Sequence, residues 1–61
     1  MKVYIVIKHI EYKDYYDDEN VKVFLDESKA DEYVRKMHET DSYYNDDGTW
    51  MDYSYEEWEV E

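Results

Sequence analysis

Cysteine and proline are both missing from this 61-residue chain, and glycine occurs once, at Gly48. Without cysteine there can be no disulfide staple, thiolate metal site or thiol nucleophile, and the expected compartment is a reducing one. One glycine cannot build a glycine-rich loop that cradles phosphates. Long apolar runs are also lacking, since the longest, Val3–Ile7, is five residues. No segment therefore approaches transmembrane length, and the opening "MKVYIVIKHIEY" has neither the extended apolar stretch nor the cleavage site of a secretory signal. The expectation is one cytoplasmic domain over residues 1–61. It lies near the lower size limit for unstapled folding, with roughly 1.5 kcal/mol of ordering entropy to offset per residue.

Positive charge is scarce in one half. Residues 1–36 hold nine carboxylates and seven Lys or Arg, whereas residues 37–61 hold nine carboxylates and no Lys or Arg, within a total formal charge of −11. That polarity repels nucleic acid and anionic membranes, so neither is an expected direct partner. Its complement is a basic protein surface, of which nucleic-acid-binding sites are the common case. A small domain stays soluble with a net charge of about 2–8, so nine like charges in twenty-five residues exceed that need. They also cost stability through self-repulsion.

What is abundant is aromatic: nine Tyr, two Trp and Phe24. Residues 2–12 alternate with apolar side chains on both faces, Val3, Ile5 and Ile7 against Tyr4, Val6, Ile10 and Tyr12, which predicts a central strand. "KDYYDDEN", residues 13–20, reads as a polar hairpin loop, and "VKVFL", residues 21–25, as a second short strand. Asp26 is a candidate N-cap for a helix whose apolar stripe is Ala30, Tyr33, Val34 and Met37. Glu32 with Lys36, and Asp31 with Arg35, are spaced as i, i+4 ion pairs, and the helix should fade around Glu39. "TDSYYNDDG" reads as loop. "TWMDYSYEEWEVE" alternates imperfectly, and a bulge near Glu56-Glu57, or a frayed end, would bring Trp58 and Val60 to the side of Met51, Tyr53 and Tyr55. The expected fold is α+β: a β-β-α-β domain whose three-stranded sheet, in order 2-1-3, carries one helix on one face after a right-handed crossover. Its other face would show tyrosines and carboxylates to solvent or to a partner.

The opening "MKVYIV", the segment "VFLDESKADEYVRKM" and the closing "YEEWEVE" resemble small acidic proteins of Gram-positive bacteria and their phages. In that family a strand ending Val-Phe leads into a Lys-Ala-x-x-Tyr helix, and a Glu-Glu-aromatic-Glu-Val strand follows. About half the chain is covered: the first strand, residues 23–37 and residues 55–61. These motifs are mostly folding signals and agree with β-β-α-β. The resemblance implies a phage or mobile-element context, in which short acidic proteins act as host-directed inhibitors.

No catalytic or metal-binding motif is complete in this chain. Ser28, Ser42 and Ser54 lack a nucleophile context, and His9 and His38 read as capping or exposed imidazoles, so no enzyme activity and no cofactor are expected. With Gly48 at the sixth position of a calcium loop, the first would be Tyr43 and the twelfth Ser54, leaving only Asn45 and Asp47 as ligands; no metal site is expected. The remaining candidate is the acidic-aromatic tail. Glu57, Glu59 and Glu61 on one strand face would recur every ~6.8 Å, about two nucleotide steps along a DNA strand. Such a row suits an Arg/Lys groove built for phosphates. The expected partner-binding residues are Asp41, Asp46, Asp47, Asp52, Glu56, Glu57, Glu59 and Glu61, with Tyr43, Tyr44 and Trp50 as anchors. Asp14, Asp17, Asp18 and Glu19 form a second candidate patch. The function this predicts is an inhibitor that blocks a basic, nucleic-acid-binding site on a host defence or DNA-processing protein. Its rival is a homodimer through the uncovered sheet face.

Overall fold

A computed structural model describes all residues, 1–61. Strand β1, Lys2–Tyr12, is the expected central strand. It is followed not by an eight-residue loop but by a two-residue turn, Lys13-Asp14, with Tyr12 paired to Tyr15. Lys13 takes the left-handed conformation, φ 55°, that such a turn needs. Strand β2 therefore runs Tyr15–Phe24, twice the predicted length. The acidic residues obscured it because Asp and Glu are poor strand formers in isolation, yet pairing with β1 satisfies their backbone. The register shifts between Val6, opposite Lys22, and Ile7, opposite Asn20, so Val21 is the extra residue of a bulge.

Helix α1, Glu27–Thr40, starts where the sequence places it, and Asp26 caps it by accepting from the Ser28 N–H at 2.9 Å. The Asp31–Arg35 pair forms at 3.0 Å. Glu32 and Lys36 form no bridge and instead both line a groove between α1 and β2. Ala30 and Val34 pack with Tyr4, Val6, Met51 and Tyr53 into the core, and Phe24, Tyr33, Met37 and Tyr55 close around it.

The sheet has four strands rather than three. Residues read as loop contain a short strand, β3, Tyr43–Tyr44, which returns through a turn to β4, Trp50–Glu59. That turn is built by local hydrogen bonds. Asn45 N–H reaches the Thr49 carbonyl at 2.8 Å, and Gly48 N–H reaches the Asn45 carbonyl at 3.1 Å. Asp47 accepts from the Thr49 N–H at 3.0 Å and from its hydroxyl at 2.7 Å. The order is β2-β1-β4-β3, and every pairing is antiparallel. The expected 2-1-3 order survives as its first three strands.

No bulge interrupts β4, whose register against β1 is continuous from Glu11↔Trp50 to Lys2↔Glu59. Trp58 consequently stays on the face opposite Tyr53 and Tyr55. Because directly paired residues share a face, the sheet divides cleanly. Tyr4, Val6, Lys8, Ile10, Lys22, Met51, Tyr53, Tyr55, Glu57 and Glu59 lie on the helix side. Val3, Ile5, Ile7, His9 and Glu11 of β1, Tyr16, Asp18 and Val23 of β2, and Trp50, Asp52, Ser54, Glu56 and Trp58 of β4 lie on the uncovered side.

Candidate functional site

The uncovered face has two halves. One end is mainly apolar: Val3, Ile5 and Ile7 lie between Val23, 57% exposed, and Trp58, 53% exposed, with Glu56 opposite Ile5 accepting from the Trp58 indole N–H at 3.0 Å. The other end is aromatic and acidic. Trp50 stacks on Tyr44 with centroids 6.3 Å apart and planes at 20°, and meets Tyr16 edge-on at 6.5 Å. Cross-strand pairing places the three rings in a row over β2, β1, β4 and β3, with Glu11 of β1 between Tyr16 and Trp50. The Trp50 indole N–H donates to the Glu11 carboxylate, which fixes the ring's orientation. The face carries four carboxylates, Glu11, Asp18, Asp52 and Glu56, and no lysine or arginine. Lys2, Lys8 and Lys22 fall on the helix side, Lys29, Arg35 and Lys36 are on α1, and Lys13 is in the turn.

Asp52 is held from three sides at the sheet edge. It accepts from the Tyr44 hydroxyl at 2.5 Å and from the backbone N–H of Tyr53 at 2.8 Å, and the His38 imidazole lies 2.6 Å away. The carboxylate pushes the Tyr44 phenol above its ordinary pKa, chiefly because the hydrogen bond favours the protonated phenol.

His9 bridges three strands. Its Nδ1 lies 2.6 Å from Asp18 Oδ1 and its Nε2 lies 2.7 Å from Ser54 Oγ. A serine, an imidazole and a carboxylate in this order can pass a proton, which is the first requirement of a serine nucleophile. The second is a pair of free N–H donors for the oxyanion. Tyr53 N–H turns away from β1 to Asp52, so by alternation Ser54 N–H is spent in the ladder with β1. The trio is a cross-strand clamp: it satisfies three polar side chains on a half-buried surface and ties β2, β1 and β4 together.

The expected site residues scatter over both faces. Tyr44, Trp50, Asp52 and Glu56 belong to the uncovered face. Tyr43 pairs with Met51 and so lies on the helix side. Asp41 accepts from the buried Tyr53 hydroxyl at 2.6 Å, and Asp47 is occupied by Thr49. Glu57 and Glu59 do share one side, but it is the helix side, and cations from β1's end meet them: Lys2 is 3.7 Å from Glu57 and the N-terminal amine 3.4 Å from Glu59. Glu61 lies beyond β4 and, like Asp46 in the turn, is exposed. In the second patch, Asp14 is in the hairpin turn, Asp17 and Glu19 are on the helix side, and Asp18 joins the uncovered face.

Glu11, Tyr16, His9 and Ser54 are the members that sequence reasoning missed. Strand parity, continued past Ile7, is the signal that puts His9 and Glu11 on the same face, but Tyr16 was out of reach while residues 13–20 were read as loop. No group of three or more His, Asp or Glu side chains converges to hold a metal. No helix is long and apolar enough to cross a membrane. No protein-family model, curated protein or solved structure matches the chain.

Proposed function

We propose that this protein is an inhibitor of phage type that binds a protein with a basic, nucleic-acid-binding surface, and that the uncovered sheet face is its interface. One observation carries the reading: four aromatic residues, Tyr16, Tyr44, Trp50 and Trp58, and four carboxylates share a face from which every lysine and arginine is excluded. Buried aromatics are the usual interface anchors, and a single-sign rim steers a partner of opposite charge. The sheet beneath is hydrogen-bonded across its width, so the rings are held in place before binding and little ordering entropy is lost.

The test is capture from host lysate at low and high salt. Retention of one basic protein at low salt, its displacement by duplex DNA, and a loss of about tenfold or more on Trp50→Ala support the reading. Glu56→Lys should weaken capture, while reversal of Glu57 and Glu59 on the other side should leave it largely intact. Capture indifferent to salt and to Trp50 would overturn it.

The apolar end of the same face favours a second reading, a homodimer through Val3, Ile5, Val23 and Trp58. Sedimentation separates the two. A dimer of this kind holds or tightens as salt rises and falls apart in Trp58→Glu.

A further inference from the structure

The uncovered face leaves one feature on the far side of the molecule unused. Between β2 and α1 lies an open groove of about 350 Å³, lined by Lys22, Phe24, Lys29, Glu32, Tyr33 and Lys36. Three of the chain's seven basic side chains therefore converge on one groove, although the molecule as a whole carries −11. None of the three forms an ion pair; the bridges to carboxylates elsewhere use the N-terminal amine, Lys2, Arg35 and the two histidines. Three unpaired ammonium groups around one cavity repel one another, and an anion among them relieves that repulsion. Carboxylates farther away than the Debye length, about 8 Å at physiological ionic strength, are largely screened, so the lining charges, three lysines against Glu32, leave the groove net positive.

The floor of the groove is aromatic. Phe24 and Tyr33 have centroids 5.6 Å apart, and Lys22 Nζ stands 5.4 Å from each. An ammonium over a ring at a partly exposed site is held weakly, whereas a charge-assisted bond to phosphate is stronger. A phosphate between Lys22 and Lys36 would draw Lys22 outward and open both ring faces to a flat apolar group. Glu32, at the rim, supplies an acceptor for an amino group on such a ring.

We infer that this groove is a binding site for a phosphorylated aromatic of mononucleotide size, with its phosphate on Lys22, Lys29 and Lys36 and its ring over Phe24 and Tyr33. A cavity of this volume falls in the range that small ligands occupy. The inference stands apart from the protein-binding reading, because it uses the opposite side of the sheet and none of the same residues.

Titration of the isotope-labelled chain followed by amide NMR tests it, with AMP, adenosine and inorganic phosphate as separate probes at physiological ionic strength, about 0.15 M. AMP should move the amides of Lys22, Phe24, Lys29, Tyr33 and Lys36 with a Kd below about 1 mM. Adenosine and phosphate alone should each bind at least about tenfold more weakly, since each makes half the contacts. Lys29 and Lys36 are exposed on the helix, so Lys29→Gln with Lys36→Gln should keep the native spectrum and lose AMP binding about tenfold or more. No shift at about 10 mM AMP, phosphate binding as well as AMP, or shifts confined to the uncovered face would each overturn the assignment.

Discussion

Single carboxylates in this protein do work that their number conceals. Asp26 and Asp47 each accept from a backbone N–H and a hydroxyl, of Ser28 and Thr49 respectively, and those bonds hold both carboxyls below their ordinary pKa. A group depressed in the folded state stabilises it above the unfolded value, near 3.9, and that contribution is lost as pH falls through the folded value. Asp26→Ala and Asp47→Ala should therefore lower Tm at pH 7 and by progressively less as pH falls below the unfolded value of about 3.9, as followed by circular dichroism. Tyr53 acts at the opposite end of the scale. Burial first, and then the hydrogen bond to Asp41, raise its phenol well above the ordinary tyrosine range. Its contribution is fully present below the unfolded value of about 10 and disappears as pH rises further. Ultraviolet titration should show Tyr53 ionising only with unfolding, and Tyr53→Phe should cost about 1 kcal/mol at neutral pH. Only the capping role of Asp26 was visible from the sequence, because a cap is local in the chain. The Asp41–Tyr53 bond spans a helix end and a strand and has no short-range signature.

Among the elements, the β3–β4 hairpin is the one most dependent on particular residues. Gly48 sits at φ 91°, and a Cβ added there would meet nothing within 4 Å. Gly48→Ala is thus opposed by backbone conformation alone, and a loss of about 1–2 kcal/mol is expected in denaturant unfolding. The central strand is held differently, by packing. Val6 is fully buried between β4 and the helix, and Val6→Ala removes two methyl groups' worth of apolar contact, so a loss of about 2 kcal/mol should appear in the same assay. The two hairpins show where patterning was readable. β1 and α1 carry regular apolar periods and were legible nearly to the residue. β2 and β3 carry acidic and tyrosine residues on both faces, and their strand character comes from the neighbours they pair with.

At the level of the molecule, charge is sorted by face. Four carboxylates and the Tyr16–Trp50–Tyr44 row occupy one side of a slab about 12 Å deep, and the lysines occupy the other side, the helix and, for Lys13, the β1–β2 turn. With only eight residues buried, the domain has little hydrophobic stabilisation to set against the self-repulsion of −11. Raising salt from about 20 to 500 mM should increase Tm, since screening relieves more repulsion than it weakens attraction among three exposed ion pairs. A fall in Tm would mean that those few pairs outweigh the net charge.

By itself the sequence determined the α+β class, the central position of β1, the bounds and cap of the helix, and the excess of acid in residues 37–61. Each of these is set by composition or by a period of two or 3.6 within one segment, and physics acts on them locally. The tertiary structure decided which carboxylates stand free. Lys2 and the N-terminus reach Glu57 and Glu59 because β1 and β4 pair in a continuous register, and Asp18, Glu11 and Tyr16 join Trp50 because β2 begins at Tyr15. A one-residue difference in register or in strand start moves a side chain to the opposite face, and register is a property of two strands together.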